Sequence, residues 1–273
     1  MTSGTAATRN HLTFTRIAAS EWIKVATLKS TWFLLGCYLA FILFAGVGAA
    51  VLTVVGAEGQ TIPGEEAADS VIELLSMMVT SLTPLVFMAF AALAVTNEYR
   101  SGQIRVTFTA APRRTQVVLG KAAVAAVVTM VTVAVGYALG SVAALGVYAV
   151  LGTGFALSGP TSVSILGGIL FAGAIAVMSA GLGWLTRSTA GAVMAGVLAF
   201  MLFPALAQQL MGLPGVGEVF YYVFLYWPTT LGSWLTSTQE ALPPGGGVGM
   251  ALMWVWAAAV TAGAIAVVCR RDA

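Results

Sequence analysis

The charges of this chain fall into a pattern that few folds can accommodate. Its 12 lysines and arginines sit in four stretches: Arg9, Arg16, Lys24 and Lys29; Arg100, Arg105, Arg113, Arg114 and Lys121; Arg187; and Arg270 with Arg271. Long apolar intervals separate them, interrupted only by a few Glu and Asp at alternate ends. Charge is costly at the centre of a bilayer, so charge-free intervals measure possible spans. About 20 mostly apolar residues are needed to cross roughly 30 Å of hydrocarbon. Only 8% of residues are charged while 59% are hydrophobic. A soluble domain carries roughly 25% charge, so too little polar surface is present to cover a water-soluble globule. The expectation is a single-domain, all-α integral membrane protein, and soluble enzyme classes are largely excluded.

The intervals predict six transmembrane helices, at about 31–55, 74–96, 122–151, 163–186, 189–211 and 248–269. The third and fourth are separated by turn formers, from Gly152-Thr153-Gly154 to Ser158-Gly159-Pro160. Residues 219–239 also lack charge, but Pro228 interrupts their apolar part. Thr229, Thr230, Ser233, Thr236, Ser237 and Thr238 then make the rest polar. Within the outer segment 212–247, this stretch is expected to form a re-entrant hairpin before the last helix. Tyr221, Tyr222, Tyr226, Trp227 and Trp234 would lie at headgroup level. With the N-terminus inside, every basic residue falls on the cytoplasmic side. Glu58, Glu65, Glu66, Asp69, Glu73, Glu218 and Glu240 then fall outside, with no basic residue among them. A seventh span would carry Arg270 and Arg271 outward, so six are expected, with both termini cytoplasmic. The first apolar run is too long for the ~7–15-residue core of a cleaved signal.

Residues 12–30 carry a different period. Phe14, Ile17, Ala18, Trp22, Val25 and Leu28 recur at three- and four-residue steps, with Arg16, Ser20, Lys24 and Thr27 opposite. This predicts an amphipathic helix in the inner interface, feeding the first span.

Groups for catalysis are scarce. His11 is the one histidine, in the N-terminal tail, so no histidine triad or histidine metal cluster can form. Cys37 and Cys269 are expected to be packing residues. Gly120-Lys121 lacks the upstream glycine and following hydroxyl of a phosphate-binding loop, so the chain is expected to hydrolyse no ATP itself. The spans offer only neutral polar groups such as Gln208 and Gln209. The spacing Gly136-x-x-x-Gly140 suits close helix packing within one subunit. The inner loop 97–121 mixes charges of both signs with Ile104, Val106 and Phe108. It reads as a docking surface for a cytoplasmic partner, or as a solvated topology determinant.

In that loop, Glu98-Tyr99-Arg100-Ser101-Gly102 leads to Pro112-Arg113-Arg114 and Lys121. Together with Glu21-Trp22-Ile23-Lys24, Ser30-Thr31-Trp32 and Thr186-Arg187-Ser188-Thr189-Ala190-Gly191, it resembles the membrane subunits of type-2 ABC exporters of actinobacteria. The resemblance runs over most of the chain, in short motifs. It implies an interfacial helix, six spans and an outer re-entrant hairpin. It implies a bacterial plasma-membrane location and two permease subunits, alike or different, working with two cytoplasmic ATPase subunits that hold the ATP and Mg. The chain departs from larger members in lacking a big outer domain. On this reading the loop is the coupling element: Glu98, Arg100 and Arg105 make polar contacts to the ATPase, and Ile104 and Phe108 fill its groove. Arg113, Arg114 and Lys121 serve as lipid and topology anchors. No nucleic-acid partner and no cofactor in this chain are expected. A small carrier or channel driven by an ion gradient is the alternative, and a membrane-embedded enzyme a third.

Overall fold

The computed structural model describes residues 13–57, 60–110, 113–236 and 245–270. Among them every regular element is helical. α1 (Phe14–Thr27) precedes six stretches long and apolar enough to cross a membrane. These are α2 (Lys29–Gly56), α3 (Gly64–Arg100), α5 (Arg114–Leu151), α6 (Gly159–Thr186), a composite of α7 (Thr189–Val197), a π-helical turn (Leu198–Leu202) and α8 (Phe203–Leu210), and α11 (Gly246–Arg270). α4 (Gln103–Ala110) lies between α3 and α5, and α9 (Gly217–Leu225) and α10 (Pro228–Thr236) lie between α8 and α11. The chain is a multi-pass membrane protein.

The spans alternate in direction, which separates the charges. At one end the Ala156 amide donates to the Gly64 carbonyl, 3.0 Å. Glu65 and Glu66 occupy the first turn of α3 there, where the helix dipole favours anions. At the other end Arg114 Nη1 donates to the Val268 carbonyl at 2.9 Å, and the hydroxyls of Thr96 and Thr189 meet at 2.6 Å. α1 and α4 lie at this second end. These are called the acidic and the basic end below.

The helices outrun the charge-free intervals. α3 has 37 residues, about 55 Å of helix against roughly 30 Å of hydrocarbon. It begins ten residues before the expected Leu74 and continues to Arg100, and α5 begins at Arg114 rather than 122. Charge limits where a helix can lie in lipid, but it does not end a helix that emerges into water. The segment expected as loop 97–121 is therefore mostly helical.

α6 is the central helix, with Phe171, Ile175, Met178 and Trp184 fully buried. α2 packs closely on α5, backbone against backbone. A Cβ on Gly46 would stand 2.2 Å from the Gly140 carbonyl oxygen, and Gly136 faces Ile42. The Gly136-x-x-x-Gly140 spacing thus serves packing inside the subunit, as expected. Phe33, Phe44, Leu52 and Val150 point outward, as side chains bathed in lipid do. Cys37 and Cys269 are also exposed, which corrects their expected role in packing.

The π turn rearranges the local hydrogen bonds. The Phe203 amide bonds to the Leu198 carbonyl, and Pro204 has no N–H to offer Ala199. The orphaned Ala199 carbonyl is satisfied by Trp227 Nε1 at 2.6 Å. Trp227 is half-buried, held by that bond and by the Phe203 ring, 4.0 Å away. Trp234 is also partly buried, whereas Tyr221, Tyr222 and Tyr226 are exposed. His11, Glu58, Pro112, Glu240 and Arg271 lie outside the described residues.

Candidate functional site

The basic end is built from α1, α4 and the ends of α3, α5 and α6. α1 lies against α5 through Ile17, whose Cγ2 approaches to 3.0 Å of where a Cβ on Gly120 would be. Glycine at 120 therefore lets α1 approach closely, and the next residue, Lys121, meets what α1 carries. Glu21 lies one turn after Ile17 on the same face and is buried.

Four charges converge there. Lys121 Nζ donates to Glu21 Oε2 at 2.5 Å and to Glu98 Oε1 at 2.8 Å. Lys24 Nζ donates to Glu21 Oε1 and to the same Glu98 oxygen, both at 2.7 Å. Lys121 also reaches the Ala94 carbonyl at 3.3 Å. Two carboxylates and two ammoniums make the cluster neutral, the condition under which buried charge is tolerable. Glu21, Glu98 and Lys121 are all buried, and Glu98 Oε2 has no hydrogen-bond partner among the described residues. Burial alone would lower the pKa of Lys24, but hydrogen bonds and charge from Glu21 and Glu98 outweigh it and raise it above the usual lysine value. The stabilisation from Lys24 is thus complete at neutral pH and is lost only as pH rises through the raised folded value.

A second layer braces α4. The fully buried Trp184 of α6 meets Tyr99 edge-on at 5.8 Å and stacks with Phe108 at 6.3 Å. Arg114 lies 5.1 Å over the Phe108 ring and Arg187 lies 5.5 Å over Tyr99. Arg187 ends α6 in the left-handed conformation, φ 54°. Ser188 then accepts from the Gly191 amide at 3.4 Å to start α7. With Ile104 also buried, one face of α4 is fixed. Arg105, Val106 and Thr109 make up the exposed face, continued by Arg100.

The structure divides the sequence-predicted residues between the interior and the surface. Of the residues expected to touch a partner, Glu98 is buried in the cluster, Ile104 is buried, and Phe108 is half-buried against Trp184. Lys121, expected as a lipid and topology anchor, is 3% exposed inside the cluster. Arg114 is held by the Val268 carbonyl and the Phe108 ring. Arg100, Arg105 and Arg113 are exposed. Glu21 and Lys24 were not placed in a site from sequence. Their signal was present as an opposite-charge pair at i,i+3 within the amphipathic segment 12–30.

At the acidic end, a cavity of about 590 Å³ opens between α3 and α10. Its lining combines Glu73, Ser70 and Thr80 with Leu74, Met77 and Trp234. Among the described residues, no group of three His, Cys, Asp or Glu is placed to hold a metal ion. The chain matches no protein-family model and no curated protein.

Proposed function

We propose that the chain is the membrane subunit of an ATP-driven exporter, with α4 as the element on which a cytoplasmic ATPase pushes. The observation that carries this reading is the two-faced character of α4. An ATPase outside the bilayer moves helices only through contacts that differ between its open and closed states, and such a contact needs a stiff lever. α4 is locked onto α3 and α6 by Ile104, Phe108 and Trp184, and it offers Arg105 and Val106, 70% exposed, to its surroundings. Arg100 extends the same exposed surface.

In this reading the basic end faces the cytoplasm of a bacterial cell, following the positive-inside rule. α1 lies in the inner interface. α9 and α10 form an outer re-entrant hairpin, held to the spans by the Trp227 bond to Ala199. The cavity beside α10 is the outer part of the substrate pathway, and a second permease subunit completes it. ATP and Mg belong to the ATPase. A gradient-driven carrier is less well supported. Glu73 and Glu98 on α3 stand 25 residues apart (98 − 73), about 37 Å of helix. They bracket the hydrocarbon and leave no titratable group of α3 in its middle.

The double substitution Arg105→Glu/Val106→Asp tests the reading. Chain abundance and unfolding midpoint should match wild type, because both side chains are exposed. ATP hydrolysis that co-purifies with the tagged chain from native membranes should fall at least about tenfold, the loss of one or two interfacial contacts. Undiminished co-purifying hydrolysis would reject α4 as the docking element.

A further inference from the structure

A groove beside the charged cluster has the polarity of a lipid. A cavity of about 260 Å³ between α1 and α3 has polar walls from Lys24, Asn97, Glu98 and Gln103 and apolar walls from Leu28 and Leu93. A smaller cavity of about 100 Å³ shares Leu28 and Leu93 and runs on to Leu34 and Phe90. Phe90 precedes Glu98 by eight residues (98 − 90), so the apolar part reaches about 12 Å deeper along α3.

The hydrogen-bond count at the polar end does not close. An ammonium has three donors. Those of Lys121 go to Glu21, Glu98 and the Ala94 carbonyl. Lys24 uses two, on Glu21 and Glu98, and its side chain remains 44% exposed. Glu98 Oε1 accepts from both lysines while Oε2 accepts from none. One donor and one buried acceptor are left over, in a cluster whose net charge is zero.

We propose that this groove binds one phospholipid with a zwitterionic, primary-amine headgroup, of the phosphatidylethanolamine type. Its phosphate accepts from Lys24 Nζ, its ammonium donates to Glu98 Oε2 once the carboxylate turns that oxygen, closed to solvent in the lipid-free chain, toward the groove Glu98 lines, and an acyl chain runs along Leu28, Leu93, Leu34 and Phe90. A zwitterion fills both vacant positions and keeps the cluster neutral. A phosphatidylglycerol headgroup would add net negative charge beside two carboxylates. A phosphatidylcholine headgroup carries no N–H to give Glu98. The proposal is independent of the exporter reading, since it depends only on the basic end lying at headgroup depth.

Native mass spectrometry of the full-length, delipidated protein tests it. Phosphatidylethanolamine, phosphatidylcholine and phosphatidylglycerol with identical acyl chains are offered at equal concentration. One phosphatidylethanolamine should be retained per chain, with about tenfold preference over each of the others, the ratio one charge-assisted hydrogen bond supports. Leu93→Trp, which fills the groove without altering a charge, should reduce that retention to the level of the other two lipids. The unfolding midpoint of the lipid-free chain should stay the same. Equal retention of the three lipids, preference for phosphatidylglycerol, or no retention at all would overturn the assignment in the wild-type protein alone. So would phosphatidylethanolamine retention that Leu93→Trp leaves intact.

Discussion

Replacing Lys121 by methionine is expected to destabilise the folded chain by about 3–5 kcal/mol, the range for removing one partner of a buried ion pair. The arithmetic of the cluster explains why. Without Lys121, two carboxylates share the single ammonium of Lys24, and Glu21 Oε2 loses its 2.5 Å partner. Glu21 and Glu98 are both buried, so water cannot restore what is lost. The double variant Glu98→Gln/Lys121→Met tests this origin. It leaves the Glu21–Lys24 pair, 2.7 Å apart, and returns the cluster to neutrality. It should therefore recover a substantial part of the loss, giving a strongly non-additive cycle. Unfolding of the micelle-solubilised chain, followed by circular dichroism, reads both effects. A double variant as unstable as the sum of its singles would show that charge balance is not what holds α1 to α3 and α5.

The second large effect is steric. Gly46→Ala should cost at least the ~1–3 kcal/mol typical of overpacked positions. The new Cβ would lie 2.2 Å from the Gly140 carbonyl oxygen and 2.6 Å from its Cα. Both are backbone atoms, so no side chain can swing aside, and α2 must move off α5. Gly48 is the matched control, since a Cβ there meets nothing within 4 Å. Gly48→Ala should change stability by no more than about 0.5 kcal/mol. Equal unfolding midpoints for the two variants would contradict the Gly46–Gly140 contact.

These two sites differ in how far the sequence discloses them. The small-residue spacing of Gly136 and Gly140 announces a close approach but not its partner, because contact across helices depends on rotation about both axes. The cluster is harder to see. Glu98 and Lys121 read as charges at the edges of apolar intervals, while Glu21 and Lys24 read as part of a separate interfacial helix. They converge only once α1 is packed on α5, with Ile17 against Gly120. The apolar intervals were the most legible feature, since the cost of charge in hydrocarbon acts on sequence directly. The same rule misplaced helix ends, because helices such as α3 continue into water where charge carries no such cost. Aromatic residues near an interface were ambiguous for a related reason. Trp227 answers a carbonyl left without a donor by a π turn and Pro204, which no hydropathy pattern records. In the 97–121 segment, residue types suggested a mixed polar and apolar surface, whereas Glu98 and Ile104 are buried and Arg105 and Val106 are exposed. Which face points outward was set by Trp184, a residue more than 70 positions away in the chain (184 − 108 = 76).

Site-specific crosslinking from α4 tests most directly whether a separate ATPase docks on that helix, as proposed above. A photoactivatable side chain at position 106, in native membranes, should form an adduct with a cytoplasmic subunit that binds ATP. The same group at Val219, exposed on α9 at the opposite end of the chain's spans, should form no such adduct. An adduct of this kind from position 106 alone is the predicted result. Crosslinks from 106 that reach only lipid, or the same products from both positions, would contradict the account.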